Sequence, residues 1–472
     1  MSAAGNIRRR RGAGRRADDA RRLGRDVLEW GPSRRRSREE AVPLHGTCTR
    51  RSLLRAVGAL GTSTALAACG ATPSGRHGAV TLRLLGTGSL AFYQHLLPAF
   101  EAAHPGLRVQ VSLATAGGTP ALTTALLTGS GPDVLWGTDP ALYLARPLLL
   151  DLAPLVARDH FPLGDFNPTV LDAFRVGQGL FMLPRSLSPL AYATRTDLFS
   201  AAGLDLPTAG YTYRDLERLW RVLTVGERIG GQLVWAPAAT FYLTGWGADL
   251  VDPADPLRAA LGSPQAIACG EWMWDRFWKD RSAQGLQGQH PAARFFAGTL
   301  AMQTLAAADL ANAAGLYANL PWRLTPFPLW PKGAATAAGA DFYAISAASA
   351  HPEAAWLLLR HLVSVPWEQA GISDLLLPPS RVSLWPQFLA GARRAAPPLR
   401  QQPLELFTSA VQGDQVYPPQ QFRYQQATAP TLAAAWQRIF GPHYTTGVRA
   451  GFPALAKALD VEERAAAGGA PP

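Results

Sequence analysis

The sequence predicts an α/β protein built around a parallel sheet, and two observations carry that reading. Short stretches with strand alternation, such as Val80–Leu85 and Leu107–Leu113, are separated by stretches whose apolar residues recur at helical spacing, such as Leu90–Ala103. Turn signals fall between them: Gly86-Thr87-Gly88, Pro105-Gly106 and Gly129-Ser130-Gly131-Pro132. Strand and helix alternating at this spacing make βαβ units, whose strands run parallel.

Taken in order, Val80–Leu85 reads as a strand, Leu90–Ala103 as a helix stopped by Pro105-Gly106, and Leu107–Leu113 as a second strand. Pro120–Thr128 reads as a helix and Asp133–Trp136 as a short buried strand. Further on, Leu187–Tyr192 is a strand, Tyr213–Leu223 an amphipathic helix and Pro264–Arg281 a helix. Leu300–Leu305 and Ala340–Ser346 are strands, and His351–Val363 is a helix. After Pro378-Pro379 the pattern is mostly helical, broken near Tyr417-Pro418-Pro419.

The formal charge of +11 suggests a nucleic-acid partner until its distribution is considered. Residues 1–55 hold 16 Arg against 6 Asp or Glu, while the rest of the chain carries 29 basic and 28 acidic residues. The globular part therefore has no basic surface to track phosphates, and nucleic acid is excluded as its partner. Residues 1–41, with Arg8–Arg11 and Arg34–Arg36, lack apolar periodicity and read as a disordered extension, or an upstream reading of the gene with the true start at Val42 or Leu44.

Residues 42–68 have the layout of a signal peptide. Arg50 and Arg51 in Thr49–Arg55 (TRRSLLR) precede the small and apolar run Ala56–Ala68, which is shorter than the roughly 20 residues a membrane span needs. Leu66-Ala67-Ala68-Cys69 resembles a bacterial lipobox, which implies cleavage before Cys69 and diacylglycerol on its thiol; two acyl chains suffice for stable anchoring. TRRSLLR resembles a twin-arginine export motif, with Leu where Phe is commoner. Residues 69–79 then read as a tether. Beyond Cys69 only Cys269 follows, so the mature chain has no pair of thiols suited to an internal disulfide, and no Cys/His cluster has zinc-like spacing.

The mature chain resembles the extracellular solute-binding proteins of family 1, the maltose-binding-protein type. The matching stretches are Phe100-Glu101 with His104-Pro105-Gly106 and Val109-Gln110-Val111, Gly129–Val134 (GSGPDV), and Leu149–Leu152 without the family's glycine. They continue with Gly179–Pro184, then Tyr192, Asp197-Leu198-Phe199 and Ala202-Gly203-Leu204, where Phe181 and Thr194 replace the usual Tyr and Asn. Phe295–Met302 has Thr299 for Lys, and Tyr343–Ser346 is followed by His351–Trp356. The resemblance covers Val80 to about Leu459. It implies a two-lobed periplasmic-binding-protein-like fold (type II), with residues 80–190 and 338–380 in an N-terminal lobe, 191–337 and 381–460 in a C-terminal lobe, and 461–472 as a disordered tail. Crossings are implied near Pro189–Tyr192, Ala337–Ala340 and Pro379–Arg381. Ligand would bind between the lobes and close them. The resemblance also implies a monomer, anchored by its lipid to the outer face of the bacterial membrane, which hands its solute to the permease subunits of an ABC transporter. It implies no cofactor and no catalysis.

Loops after the C-terminal ends of parallel strands face the crevice where such sheets bind ligands. That rule selects Ser89, Trp136, Asp139, Arg185, Trp246, Asp309, Asp341, Phe342 and Tyr343 as candidate ligand contacts; Trp385, read as lying in a turn beside a proline, and Tyr417, at the Tyr417-Pro418-Pro419 break, join them. Aromatic faces suit the C–H faces of a sugar, and Asp or Arg suits its hydroxyls. Each charged candidate has an ion-pair explanation as well, and each tryptophan a packing one. Trp220, Trp272, Trp274, Trp278, Trp356 and Trp436 lie in helical patterns and are expected in the core. A mono- or oligosaccharide is the expected ligand. With only Lys279, Lys332 and Lys457 as lysines a phosphorylated ligand is disfavoured, while Asp139, Asp309 and Asp341 keep a polyamine open.

Two other functions meet parts of the sequence pattern. Gly86–Ala91 (GTGSLA) fits a dinucleotide fingerprint, but the next strand ends Ser112–Ala116 without the acidic residue that would hold a ribose. An exported hydrolase finds no GxSxG and no HExxH here, although a carboxylate pair for glycoside cleavage needs only proximity in space.

Overall fold

The computed structural model describes residues 79–114, 119–144, 146–233, 240–252, 255–284, 291–334, 336–412, 416–417 and 425–468. The signal segment, Arg50, Arg51, Cys69 and the Arg-rich extension lie outside the described residues.

The expected alternation is present. β1 (Val80–Gly86), α1 (Leu90–Ala103), β2 (Leu107–Leu113), α2 (Thr119–Leu127) and β3 (Val134–Gly137) follow one another. α1 buries one stripe, Phe92, Tyr93, Leu97 and Phe100, and ends before Gly106, whose φ of +101° only glycine adopts easily. Next come the long strand β4 (Leu183–Arg195), α3 (Tyr213–Leu223), α4 (Thr240–Gly245) and α5 (Pro264–Trp274). α3 starts on a capping box in which Thr212 and Asp215 bond each other's backbone, and it buries Leu216, Leu219, Trp220 and Leu223. The helix expected over 264–281 instead changes at Asp275 into a π-helical turn, Asp275–Lys279. β5 (Met302–Ala306), β6 (Trp322–Thr325) and β7 (Thr336–Ile345) precede α6 (Pro352–Leu362), α7 (Val365–Leu375), α8 (Trp385–Ala395), α9 (Glu405–Gln412), β8 (Val416–Tyr417), α10 (Gln425–Phe440) and α11 (Val448–Gly468).

The main sheet runs β5-β4-β7-β3-β1-β2, with β6 also on β4 and β8 on β7. It is mixed rather than parallel. β1 pairs in parallel with β2 and β3, but β7 runs antiparallel to both β3 and β4. The βαβ rule holds for β1 to β3, where helices return the chain; β4 and β7 enter from the other half of the molecule and are outside its reach. Each of these two strands serves both halves. Leu183–Pro189 of β4 pairs with β7, and Leu190–Arg195 pairs with β5 and β6. β4 thus changes partners at Pro189, crossing from one set of strands to the other, and Thr336 Oγ1 donates to the Leu190 carbonyl beside it (3.0 Å).

Two buried clusters hold the molecule. The first surrounds β1, β3 and the start of β4, with Phe100, Phe342, Trp356 and Trp385 fully buried. It continues through 310–324 and 384–411, so α8 and α9, expected on the second lobe, share buried contacts with the first. The second centres on Tyr192, Trp220, Tyr242, Trp272 and Trp330 and is closed by α10 and α11. The tail expected to be disordered from 461 is helical to Gly468, because Glu462 accepts from Thr431 (2.6 Å), Arg464 pairs with Asp255 (3.0 Å) and Glu463 is buried. Trp274 and Trp278 are only half-buried and flank the exposed Tyr444, in place of the core positions expected for them.

Candidate functional site

β1 and β3 end side by side, and antiparallel β7 brings its first half to the same edge of the sheet. Trp136 pairs across the strands with Tyr343, and Gly137 with Phe342. Side chains alternate, so Trp136, Tyr343 and Asp341 share one face while Phe342 points to the other. A β-bulge completes the group. Asp341 opposes Ser186 and Phe342 opposes Pro184, which leaves Arg185 as the extra residue of β4. Bulges re-aim side chains, and this one turns the Arg185 guanidinium into the face that holds Asp341.

The contacts form one chain. Trp136 Nε1 donates to Asp341 Oδ2 (3.2 Å), and Arg185 Nη1 donates to the same oxygen (3.0 Å). Arg185 Nε donates to the Tyr343 hydroxyl (3.1 Å), which lies 3.2 Å from the Tyr93 hydroxyl. The Tyr93 hydroxyl accepts from the Thr87 N–H (3.1 Å). Burial pushes the Tyr343 hydroxyl well above its usual range despite the Arg185 charge, so it stays protonated. Arg185 is 6% exposed and Asp341 28% exposed, so the arginine sits behind the carboxylate. Asp341 Oδ1 has no hydrogen bond among the described residues, and Trp136 is half-buried, packed against the first core. The site therefore presents an aromatic surface locked in orientation beside a carboxylate oxygen able to accept a hydroxyl.

Residues 86–369 match the bacterial extracellular solute-binding proteins. The chain belongs to this family. Solved structures agree at the level of fold. The sugar-binding protein MalE from Xanthomonas citri is similar with a TM-score of 0.67 and 19% identity, covering 82% of this chain and 98% of that one. UspC of M. tuberculosis gives 0.66 and 19%, covering 81% and 100%. Lmo0181 of Listeria monocytogenes, solved in complex with cycloalternan, gives 0.66 and 17%, covering 81% and 98%. A search of curated proteins gave no match.

In this solute-binding protein the other expected contacts fall into four groups. Ser89 and Asp139 lie on the same edge as Trp136, half-buried, after β1 and β3; Ser89 makes no capping bond to α1. Burial, and then the Asp139 charge, pushes the Tyr143 hydroxyl up to about 12. Asp309 is exposed at the end of the turn after β5, and its neighbour Ala308 donates to Ser188 Oγ (2.9 Å), next to the crossing. Tyr417 is in β8, paired with Ala337 at the start of β7, also at the crossing.

Trp246 belongs to the second core. Its ring contacts Tyr213 (5.2 Å) and Trp272 (6.4 Å), and it shares no ring contact or hydrogen bond with the Trp136 group. Its Nε1 is buried without a hydrogen bond among the described residues. Two candidates have no face to offer. Phe342 is fully buried against Tyr143 (5.8 Å) and Phe174 (5.5 Å). Trp385 is fully buried at the start of α8 against Phe388 (5.3 Å); the proline after it, taken from sequence as a turn, is the first-turn proline of a helix.

Tyr93 was not selected from sequence, since it lies on the buried stripe of α1 and only its hydroxyl reaches the edge. It also explains the glycine fingerprint. A Cβ on Gly86 would meet the Tyr93 ring at 2.6 Å, so this glycine admits a tyrosine where a dinucleotide site would admit a pyrophosphate.

Proposed function

We propose that this protein is an extracytoplasmic lipoprotein that captures a mono- or oligosaccharide by lobe closure and presents it, unchanged, to the permease subunits of an ABC importer. The observation that carries the reading is the Trp136–Asp341 pair, an indole fixed by its own N–H to a carboxylate whose second oxygen is open. A sugar needs both a flat apolar partner and a hydroxyl acceptor. Solutes of structurally similar proteins, cycloalternan among them, are of this kind. The lobes would divide as 80–190 with 338–380 and 191–337 with 381–460, with Trp246 and Asp309 facing Trp136 across the cleft in the closed state.

A thermal-shift screen of mono- and oligosaccharides tests this, because a sugar at 100 times its Kd adds about 2.7 kcal/mol of stability. For any sugar that binds, Trp136→Ala is expected to weaken affinity about tenfold or more, by calorimetry, with little change in melting temperature. Unchanged affinity with a large thermal loss would mean that Trp136 is packing and not a contact. The lipid anchor has its own test. Cys69→Ala should leave the protein exported but uncleaved or shed into the medium, and mass spectrometry of the native protein should find no residue before Cys69.

A further inference from the structure

The sequence makes a neutral sugar the expected ligand, while Asp139, Asp309 and Asp341 keep a cationic amine open. The geometry around Asp341 separates them. We propose that Arg185 is the specificity-determining residue of this site: it neutralises Asp341 from behind, so that the carboxylate serves uncharged hydroxyl donors and rejects cationic amines. The inference rests on the solute-binding reading above.

An ammonium ion is held by a carboxylate whose charge is not already spent. Asp341 Oδ2 takes two donors, Arg185 Nη1 at 3.0 Å and Trp136 Nε1 at 3.2 Å, and the first carries a full positive charge. That charge cannot leave. Arginine stays protonated, the side chain is 6% exposed, and its Nε is tied to the Tyr343 hydroxyl at 3.1 Å. An ammonium at Oδ1 would therefore sit within a few ångströms of a buried guanidinium, and the repulsion between them offsets most of its attraction to the carboxylate. A hydroxyl meets no such penalty. It donates to Oδ1 and, being neutral, is not repelled by the guanidinium. Rejecting the wrong ligand through a like charge is a common route to specificity. Arg185 does this without touching solute, as a positioning residue supplied by the bulge between Pro184 and Ser186.

The test is a swap of ligand charge, read by calorimetry on the full chain with spermidine, maltotriose and gluconate as probes. The wild type should bind spermidine too weakly to detect. Arg185→Gln should gain at least about tenfold in spermidine affinity, a gain that added salt weakens and that Arg185→Gln/Asp341→Asn loses. Asp341→Asn alone uncovers the guanidinium and should gain for gluconate by a similar factor, which keeps the test open if Arg185→Gln does not fold. A merely structural role for Arg185 would weaken all three probes together. Tight spermidine binding by the wild type that disappears in Asp341→Asn overturns the proposal, as does the absence of a charge-dependent gain in both variants. If the charge swap appears while neither maltotriose nor any other sugar binds the wild type, the sugar reading falls and the role of Arg185 stands. If sugars bind and no swap appears, the reverse holds.

Discussion

Trp220→Ala should cost about 3–5 kcal/mol of stability, the loss expected for a large side chain removed from a site that cannot collapse. Trp220 is fully buried on α3, edge-on to Tyr192 (6.2 Å) and tilted against Trp272 (6.4 Å). Its other side is backbone: a Cβ on Gly231 would collide with the Trp220 ring, and one on Gly230 with the Trp220 main chain. Walls made of rings and main chain relax little, so most of the volume would remain as a void. The indole N–H is buried without a hydrogen bond among the described residues. Trp220→Phe removes that unpaired donor and keeps most of the ring, and should cost no more than about 1.5 kcal/mol. Urea unfolding at constant m-value measures both. Trp274→Ala is the comparison. Trp274 was expected in the core from its helical spacing but is half-buried beside Tyr444, so its loss should be clearly smaller. Equal losses at the two positions would overturn the placement.

That pair of tryptophans shows where the sequence is informative. Periodicity locates elements well: α1, β2 and α3 fall on the residues expected from spacing, caps and turn signals. Those signals are local, and each depends on a few neighbouring residues. Which face of an element is covered depends on what packs there from far along the chain. Trp274 and Trp278 repeat at helical spacing, but a π-helical turn begins between them, and it is Arg276 and Phe277 of that turn that are buried while both tryptophans are half-buried beside Tyr444. The mixed sheet escaped for the same reason. Nothing in Thr336–Ile345 states that it will run against β3, because strand direction is fixed by where the chain returns from.

At the candidate site, the loops after β1 and β3 were legible from the rule about strand ends, which needs only element order, whereas Arg185, Asp341 and Tyr343 lie inside β4 and β7, where that rule is silent. Their division of labour was not legible either. The bulge that frees Arg185 from the ladder leaves no mark in Leu183–Leu187, apart from a proline compatible with it. Without the bulge Arg185 reads as a ligand contact; with it, the arginine is buried and Asp341 is the group at the surface. Trp385 failed in the opposite sense, as a proline that starts a helix was read as one that makes a turn.

Glu368 supplies the other large effect, one that changes with pH. It is buried on α7 and accepts the Ser380 N–H (3.0 Å), the Ser380 hydroxyl (2.6 Å) and the Arg381 N–H (3.2 Å). Arg381 lies 4.0 Å from the carboxylate, donates to the Val363 carbonyl (3.0 Å), reaches Asp165 (3.3 Å) and stands over the Phe166 ring (4.6 Å). This clasp fixes residues 380–381, the third expected crossing, to the first core. Burial pushes the Glu368 carboxyl up to about 7, and the donors with Arg381 only partly oppose it. The folded protein therefore holds a proton on Glu368 that the unfolded chain has released above about pH 4.3. The stability this proton supplies is complete below that pH and is lost as pH rises through 7, amounting to about 3 kcal/mol. Glu368→Gln cannot titrate, so its urea-unfolding free energy should lack this fall between pH 5 and pH 8, and the gap between variant and wild type should shift in the variant's favour by up to that amount. At pH 5 the variant should stay within about 1 kcal/mol of the wild type, because the amide, like the protonated carboxyl, offers one carbonyl oxygen to the two backbone N–H groups and a donor to the Ser380 hydroxyl. Parallel pH profiles for the two proteins would mean that Glu368 is ionised throughout and that its three donors and Arg381 outweigh burial. Glu368→Ala, which strands those donors and the Arg381 charge together, should cost about 3–5 kcal/mol at either pH.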